Sequence, residues 1–121
     1  MARTKEGVVK DKVVSILKAA DVWYFFPAAN GYGRSAIPDI VCCVRGCFLA
    51  IECKADNLKP TALQERELNR IIANGGTGLC INAENVDQLE VIIDGLSKHY
   101  STFEGANMAA LERKYAIERN R

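Results

Sequence analysis

A β-hairpin is encoded by residues 37–54, which read IPDIVCCVRGCFLAIECK. Two β-rich runs, Ile40 to Val44 and Cys47 to Lys54, lie on either side of Arg45-Gly46. A glycine between two such runs is typical of a tight turn, although Asn or Asp precedes it more often than Arg does. The segment therefore predicts an antiparallel hairpin whose turn type stays open.

The register of this hairpin decides where its charged residues meet. If Arg45 and Gly46 form a two-residue turn, counting back along both strands places Asp39 opposite Glu52, with Cβ atoms about 5 Å apart. Lys54 returns to the same face two residues later because strand side chains alternate. A three-residue bulged turn would instead shift the register by one and send the two acids to opposite faces, unless the bulge compensates for the shift.

Both faces of the hairpin are apolar, as is typical of a central sheet covered on two sides. The acid face carries Val41, Cys43, Phe48 and Ala50, and the other face carries Ile40, Cys42, Val44, Leu49 and Ile51. Opposed like charges destabilise a strand pair, so the paired acids favour a compensating divalent cation. Spacing alone leaves open a surface ion cluster in which Lys54 neutralises one acid.

The flanking segments predict an α/β fold in the order αβββαβα. Helical spacing covers Glu6 to Ala20 and a β-rich run covers Val22 to Phe26. After the hairpin, the capping-box pattern Thr61 to Gln64 begins a helix that runs to Ala73. A short strand is expected over Thr77 to Asn82, and a helix capped by Asn85 should run to about His99.

The composition indicates one domain over residues 1–121, with 101–121 as a peripheral helical tail that is either a surface helix or a dimerisation arm. Sixteen Lys and Arg against fifteen Asp and Glu mean that any nucleic-acid binding must come from a local basic surface. We expect a cytoplasmic location because neither a secretory signal nor a membrane-length apolar stretch occurs. The five cysteines are expected to be reduced and buried.

Pro38-Asp39 followed by Glu52-Cys53-Lys54, on this order of elements, resembles the PD-(D/E)xK nuclease motif. The family that it resembles is the VRR-NUC, or virus-type replication-repair nuclease, group, over residues 5 to about 95. The resemblance implies a restriction-endonuclease-like core, a central mixed β-sheet flanked by helices, and an Mg²⁺- or Mn²⁺-dependent deoxyribonuclease.

The resemblance also assigns roles to individual residues. Asp39, Glu52 and the backbone carbonyl of Cys53 would hold the metal, and Lys54 would orient the attacking water or stabilise the transition state. Glu6 would reach the metal through water, and Gln64 would join the site. Local structure explains both equally well, since Glu6 suits the first turn of a helix and Gln64 suits the capping box.

Candidate DNA contacts lie in the loop before the hairpin and on the first two helices. Tyr32 suits base stacking, and Arg34 and Ser35 suit phosphate. Further phosphate contacts are expected from Lys10, Lys59 and Arg66, although these are also ordinary solvated charges. The loop mimics the dinucleotide-binding glycine pattern, but a strand follows it where that pattern requires a helix.

The resemblance implies a homodimeric endonuclease that cuts branched DNA such as four-way (Holliday) junctions, because two identical sites can address two strands. The alternatives are a monomeric flap or general DNA endonuclease, and an inactive DNA-binding or assembly module. No phosphate-binding P-loop sequence occurs, so any helicase or other replication-repair partner would be a separate chain.

Overall fold

The computed structural model describes residues 3–28 and 36–100, and the side chains up to residue 98. Its helices are α1 (Lys5–Ala19), α2 (Ala62–Ala73) and α3 (Leu89–Tyr100), and its strands are β1 (Trp23–Phe25), β2 (Ile40–Val44), β3 (Cys47–Cys53) and β4 (Thr77–Ile81). The predicted αβββαβα order is confirmed. The loop residues Tyr32, Arg34 and Ser35 and the tail 101–121 lie outside the described residues.

The four strands form one mixed sheet in the order β1-β2-β3-β4. The β1–β2 and β2–β3 pairs are antiparallel, whereas β4 runs parallel to β3. The parallel pair follows from α2, since a helical crossover returns the chain to the end of the sheet at which β3 began.

The hairpin has the predicted register. Its pairs run from Ile40 with Ile51 to Val44 with Cys47. Arg45 and Gly46 both have positive φ, at 48° and 93°. Two successive positive φ values define a type I′ turn, whose twist matches that of the strands it joins. The two-residue turn is therefore confirmed and the bulged alternative is excluded.

The main core lies between the sheet and the helices α1 and α3. Val9, Val13 and Leu17 project from α1, and Leu89 and Ile93 project from α3. They pack on the face formed by Ile40, Cys42, Val44, Leu49 and Ile51, and all of these residues are buried. Apolar burial on this scale is what drives the association of helices with a sheet.

The helix caps agree with prediction at α2 and differ at the start of the third helical segment. The Thr61 hydroxyl accepts a hydrogen bond from Gln64 N–H, and the Gln64 amide oxygen accepts one from Thr61 N–H. The cap predicted for Asn85 is wrong. Its side chain instead accepts from Asn82 N–H and donates to the Cys80 carbonyl, and the helix opens with a 3₁₀ turn, Val86–Gln88.

The second face of the sheet is covered over only part of its width, which corrects the prediction of a sheet buried on both sides. Helix α2 packs Leu68 against Gly78 on β4. On the β1–β2 side of the same face, Trp23 is 62% exposed and Phe25 is 44% exposed. The difference arises because no described helix packs on this side.

The cysteines also differ in part from prediction. All five are free thiols, and Cys42 and Cys53 are buried as expected. Cys43 is exposed on the open part of the second face, and Cys47 and Cys80 are half-buried. Among the described residues, no helix is both long and apolar enough to cross a bilayer.

Candidate active site

Two carboxylates meet where the β2–β3 ladder ends. The last paired residues at this end are Ile40 and Ile51, so Asp39 directly precedes β2 and lies beside Glu52. The Oδ2 atom of Asp39 accepts a hydrogen bond of 2.8 Å from the N–H of Cys53. The carboxylate thus takes the place of a ladder acceptor, which fixes Asp39 against the edge of β3.

Glu52 is the only buried charged residue in the described part of the chain, with 4% of its surface exposed. The pKa of Glu52 is raised to about 8, chiefly by burial, with further contributions from a hydrogen bond with Asp39 and from the negative charges of Asp39 and Glu6, and against the opposing charge of Lys54. Ionisation of Glu52 therefore places a negative charge in poorly solvated surroundings beside a second carboxyl group.

Lys54 extends from the end of β3 on the acid face. Its backbone N–H donates a 2.9 Å hydrogen bond to the carbonyl of Ile81, so the parallel pairing with β4 continues one residue past the strand. The Lys54 side chain is half-buried, and its charge lowers the pKa of both Glu52 and Cys80. The predicted group of Asp39, Glu52 and Lys54 is thus brought together.

Cys80 is a neighbour of this group that the sequence interpretation did not include. It pairs with Glu52 across the parallel β3–β4 ladder. Burial raises the pKa of the Cys80 thiol, and the charge of Glu52 raises it further, so the group stays a neutral thiol beside the acids. The hairpin sequence does not predict this neighbour, because the position of Cys80 depends on how β4 pairs with β3.

The first helix brings two further charges to the same end of the sheet. Glu6 is exposed in the first turn of α1, and Lys10 follows one turn later. Burial raises the pKa of the Cys53 thiol to about 12, with Asp39, Glu52 and Glu6 raising it and Lys10 lowering it. Glu6 therefore lies within electrostatic range of Glu52 and Lys10 within range of the neighbouring Cys53, and a role for Glu6 through water stays a prediction.

For the other predicted residues, either no described contact joins them to this group or they lie outside the described residues. The amide oxygen of Gln64 is bonded to Thr61 N–H at 2.9 Å, so the described contact of this side chain is the helix cap. Lys59 precedes α2 and Arg66 lies on its outer surface, and both are exposed. The Cys53 thiol is buried in the main core, which leaves its backbone as the part that reaches the acid face.

The donor atoms at this end of the sheet suit a hard divalent cation. Carboxylate and carbonyl oxygens are the ligands that Mg²⁺ and Mn²⁺ prefer. Two adjacent acids, one of them buried, supply negative charge that a cation would balance. Within residues 3–28 and 36–100, no three His, Cys, Asp or Glu side chains form a complete ligand group. The protein would therefore supply two carboxylates, with a backbone carbonyl and water completing the coordination.

Comparison with known proteins identifies the fold. No family model matches the sequence, and no curated protein matches it. Among solved structures, a chain described as "VRR_NUC domain" is similar with a TM-score of 0.60 and 28% identity, and the match covers 81% of this chain and 99% of that one. The predicted resemblance and the restriction-endonuclease-like α/β core are confirmed, and the likeness supports a nuclease domain.

Proposed function

We propose that this domain, which has the VRR-NUC nuclease fold, hydrolyses DNA phosphodiester bonds with Mg²⁺ or Mn²⁺. The observation that carries the proposal is the position of Asp39 beside the buried Glu52, with Lys54 on the same face of the sheet. A nuclease of this kind needs oxygen ligands for a cation and a positive group for the phosphate, and this group of three supplies both.

Asp39 and Glu52 would hold the metal through carboxylate oxygens, together with the carbonyl of Cys53. When bound, the ion lowers the pKa of a coordinated water and neutralises charge on the scissile phosphate. The Cys53 N–H orients Asp39 through its 2.8 Å hydrogen bond. Because the bond comes from a strand backbone, the carboxylate is positioned before any ligand arrives.

Lys54 acts on the reacting groups directly. Its ammonium is held close to Glu52 by the continued β3–β4 pairing, and it can donate hydrogen bonds to a phosphate oxygen or to the attacking water. Donation to a phosphate oxygen stabilises the negative charge that grows in the transition state. Glu6 would orient a metal-bound water from α1, and Gln64 would contribute from the start of α2.

The DNA would contact basic and polar side chains around this end of the sheet. We assign phosphate contacts to Lys10, Lys59, Arg66, Arg34 and Ser35, and these contacts carry no sequence information. Tyr32 would stack on a base. Any strand separation would come from a separate helicase or other replication-repair partner in the cytoplasm.

Branched DNA, such as a four-way (Holliday) junction, is the proposed substrate, and a homodimer is the proposed assembly. Two copies related by a twofold axis present two identical sites, which matches the symmetry of a four-way junction. A monomer that cuts flaps or linear duplex and an inactive DNA-binding module are the two alternatives. The monomer would have half the native mass of the proposed dimer, and the inactive module would not cleave DNA.

A cleavage assay separates these alternatives. The purified chain is incubated with a four-way junction, a flap and a linear duplex, in Mg²⁺, Mn²⁺ or EDTA, and its native mass is measured by light scattering. Cleavage should require a metal, and Asp39→Asn and Lys54→Met should each reduce the rate at least about 100-fold, since each removes a group used in the transition state.

Glu84→Gln, at an exposed position in a turn, is the control for loss of one acid and should retain activity. Cleavage that persists in EDTA, or in Asp39→Asn, would overturn the proposed chemistry. Preference for linear duplex by a monomer would leave a metal-dependent nuclease but overturn the junction and dimer proposals.

A further inference from the structure

Phe26 is an exposed aromatic residue at the same end of the sheet as the acid pair. It directly follows β1, whose last residue, Phe25, pairs with Val41. One more step of this antiparallel register brings Phe26 level with Ile40, next to Asp39. The Phe26 side chain is 50% exposed, although aromatic rings are usually buried in a domain of this size.

The ring of Phe26 has a fixed support. It contacts Tyr24 edge-to-face, with ring centroids 5.8 Å apart and planes at 72°. Tyr24 in turn packs against the main core. An edge-to-face contact holds an aromatic ring in a defined orientation while leaving much of its surface available. Phe26 is therefore a supported flat surface that stays open to solvent.

A cationic side chain lies over this surface. The Nζ atom of Lys10 is 5.1 Å from the centre of the Phe26 ring. Between α1 and the ring runs a groove of about 470 Å³, a size within the usual range for small-ligand sites. Its lining consists of Arg3, Lys10, Asp11, Val14, Ser15 and Phe26.

The charges in this groove favour an anion near the ring. Arg3 and Asp11 form a two-point ion pair at 2.9 and 3.0 Å, so their charges largely cancel. Lys10 then supplies the positive charge beside the ring. Its charge also lowers the pKa of Cys53, the residue whose N–H holds Asp39, so Lys10 lies within electrostatic range of the strand end that carries the acid pair.

We propose that this groove binds one unpaired nucleotide of the DNA substrate, with its base stacked on Phe26 and its phosphate on Lys10. The inference rests on the proposed nuclease function and goes further by naming the feature of the DNA that the groove recognises, an unpaired nucleotide. A base inside a duplex has both faces covered by its neighbours, so only an unstacked base can offer a face to Phe26. The ammonium of Lys10 moves from the ring to the phosphate as the base enters.

Binding in EDTA tests the subsite without any cleavage. Fluorescence anisotropy is measured with a labelled single strand and with a labelled, blunt-ended duplex of two annealed strands that has the same number of phosphates and no unpaired base. Phe26→Leu keeps an apolar side chain but removes the π face, and it should weaken single-strand binding roughly 5- to 100-fold while changing duplex binding less than about twofold. Phe26→Trp should retain single-strand affinity.

The control is Phe25→Leu, one residue earlier and on the opposite face of the strand, where the side chain is 44% exposed. Lys10→Gln should weaken both DNAs, because phosphate contacts do not depend on strand pairing. Equal losses for Phe25→Leu and Phe26→Leu, or an equal loss for duplex and single strand with Phe26→Leu, would overturn the subsite. Thermal melting of each variant verifies that it is folded.

The two proposals fail separately. If Phe26→Leu has no selective effect while Asp39→Asn abolishes metal-dependent cleavage, the subsite is wrong and the nuclease stands. If Phe26→Leu selectively loses single-strand binding but the wild type cleaves no DNA, the subsite stands as a nucleotide-binding site and the nuclease proposal is wrong.

Discussion

Glu52→Gln should change the pH dependence of stability more than any other single substitution at the site. In the folded chain, burial and the neighbouring Asp39 raise the pKa of Glu52 from 4.5 to about 8. The folded state therefore holds a proton between about pH 4.5 and pH 8 that the unfolded state has already released. The free energy of unfolding of the wild type must then fall as the pH rises through this window. The amide that replaces the carboxyl group in Glu52→Gln cannot ionise, so it makes no such contribution.

The pKa values set the size of the effect. Each unit of difference corresponds to about 1.4 kcal/mol, so the values of 4.5 and about 8 give an upper limit of about 5 kcal/mol by pH 9. The charge of Lys54 is already included in the value of about 8, and relaxation of the surroundings on ionisation reduces the energy below this limit. We expect Glu52→Gln to gain roughly 2–3 kcal/mol relative to the wild type between pH 5 and pH 9.

Urea unfolding followed by circular dichroism, in EDTA at pH 5, 7 and 9, measures this difference. Glu84→Gln is the exposed control, and its stability difference from the wild type should stay constant with pH. Saturating Mg²⁺ at pH 9 should stabilise the wild type and leave Glu52→Gln nearly unchanged, because the ligand carboxylate is gone. A difference between Glu52→Gln and the wild type that does not grow with pH would refute the assignment of Glu52 as a buried, proton-holding acid.

Two further predictions concern packing and thiol access. Gly78→Ala should destabilise the fold by about 1–3 kcal/mol, because the added Cβ would lie 3.1 Å from a backbone oxygen of α2. Gly95→Ala in α3 should stabilise the fold by up to about 1 kcal/mol, because a Cβ there meets nothing within 4 Å. Thermal or urea unfolding of both variants measures the two effects. Cys43 should react with a thiol reagent in the native state, whereas the buried Cys42 and Cys53, whose pKa values are both raised to about 12 by burial, should react only on unfolding. Rapid labelling of Cys42 without loss of structure would contradict the second prediction.

The acid pair was predictable because the hairpin that builds it is local. A two-residue connection fixes the register of both strands, so Asp39 and Glu52 could be placed together from the residues 37–54 alone. The capping box at Thr61 is similarly local and was predicted with its partner. The contacts of Asn85 were not predictable from the helix pattern. Its side chain forms hydrogen bonds with Asn82 and Cys80 across a turn that this pattern does not specify.

Non-local features of the site were not predictable from patterns in the sequence. Strands β3 and β4 are joined by a helical crossover, and the length of this connection does not fix which residues pair. The position of Cys80 beside Glu52 therefore could not be predicted. The exposure of Trp23 and Phe25 depends on which half of the sheet α2 covers, and both strand faces are apolar in either arrangement. The contact of Lys10 with the Phe26 ring likewise depends on how α1 packs beside the end of β1.

The burial of Glu52 links the stability of this fold to its proposed chemistry. A carboxyl group that is 4% exposed costs stability at neutral and higher pH, because ionisation takes place in surroundings that solvate it poorly. A divalent cation bound by Asp39 and Glu52 would offset that cost while placing its charge where a phosphate must be neutralised. On this reasoning, the unfavourable burial that makes Glu52 hold a proton in EDTA is what gives the ionised site its affinity for a metal.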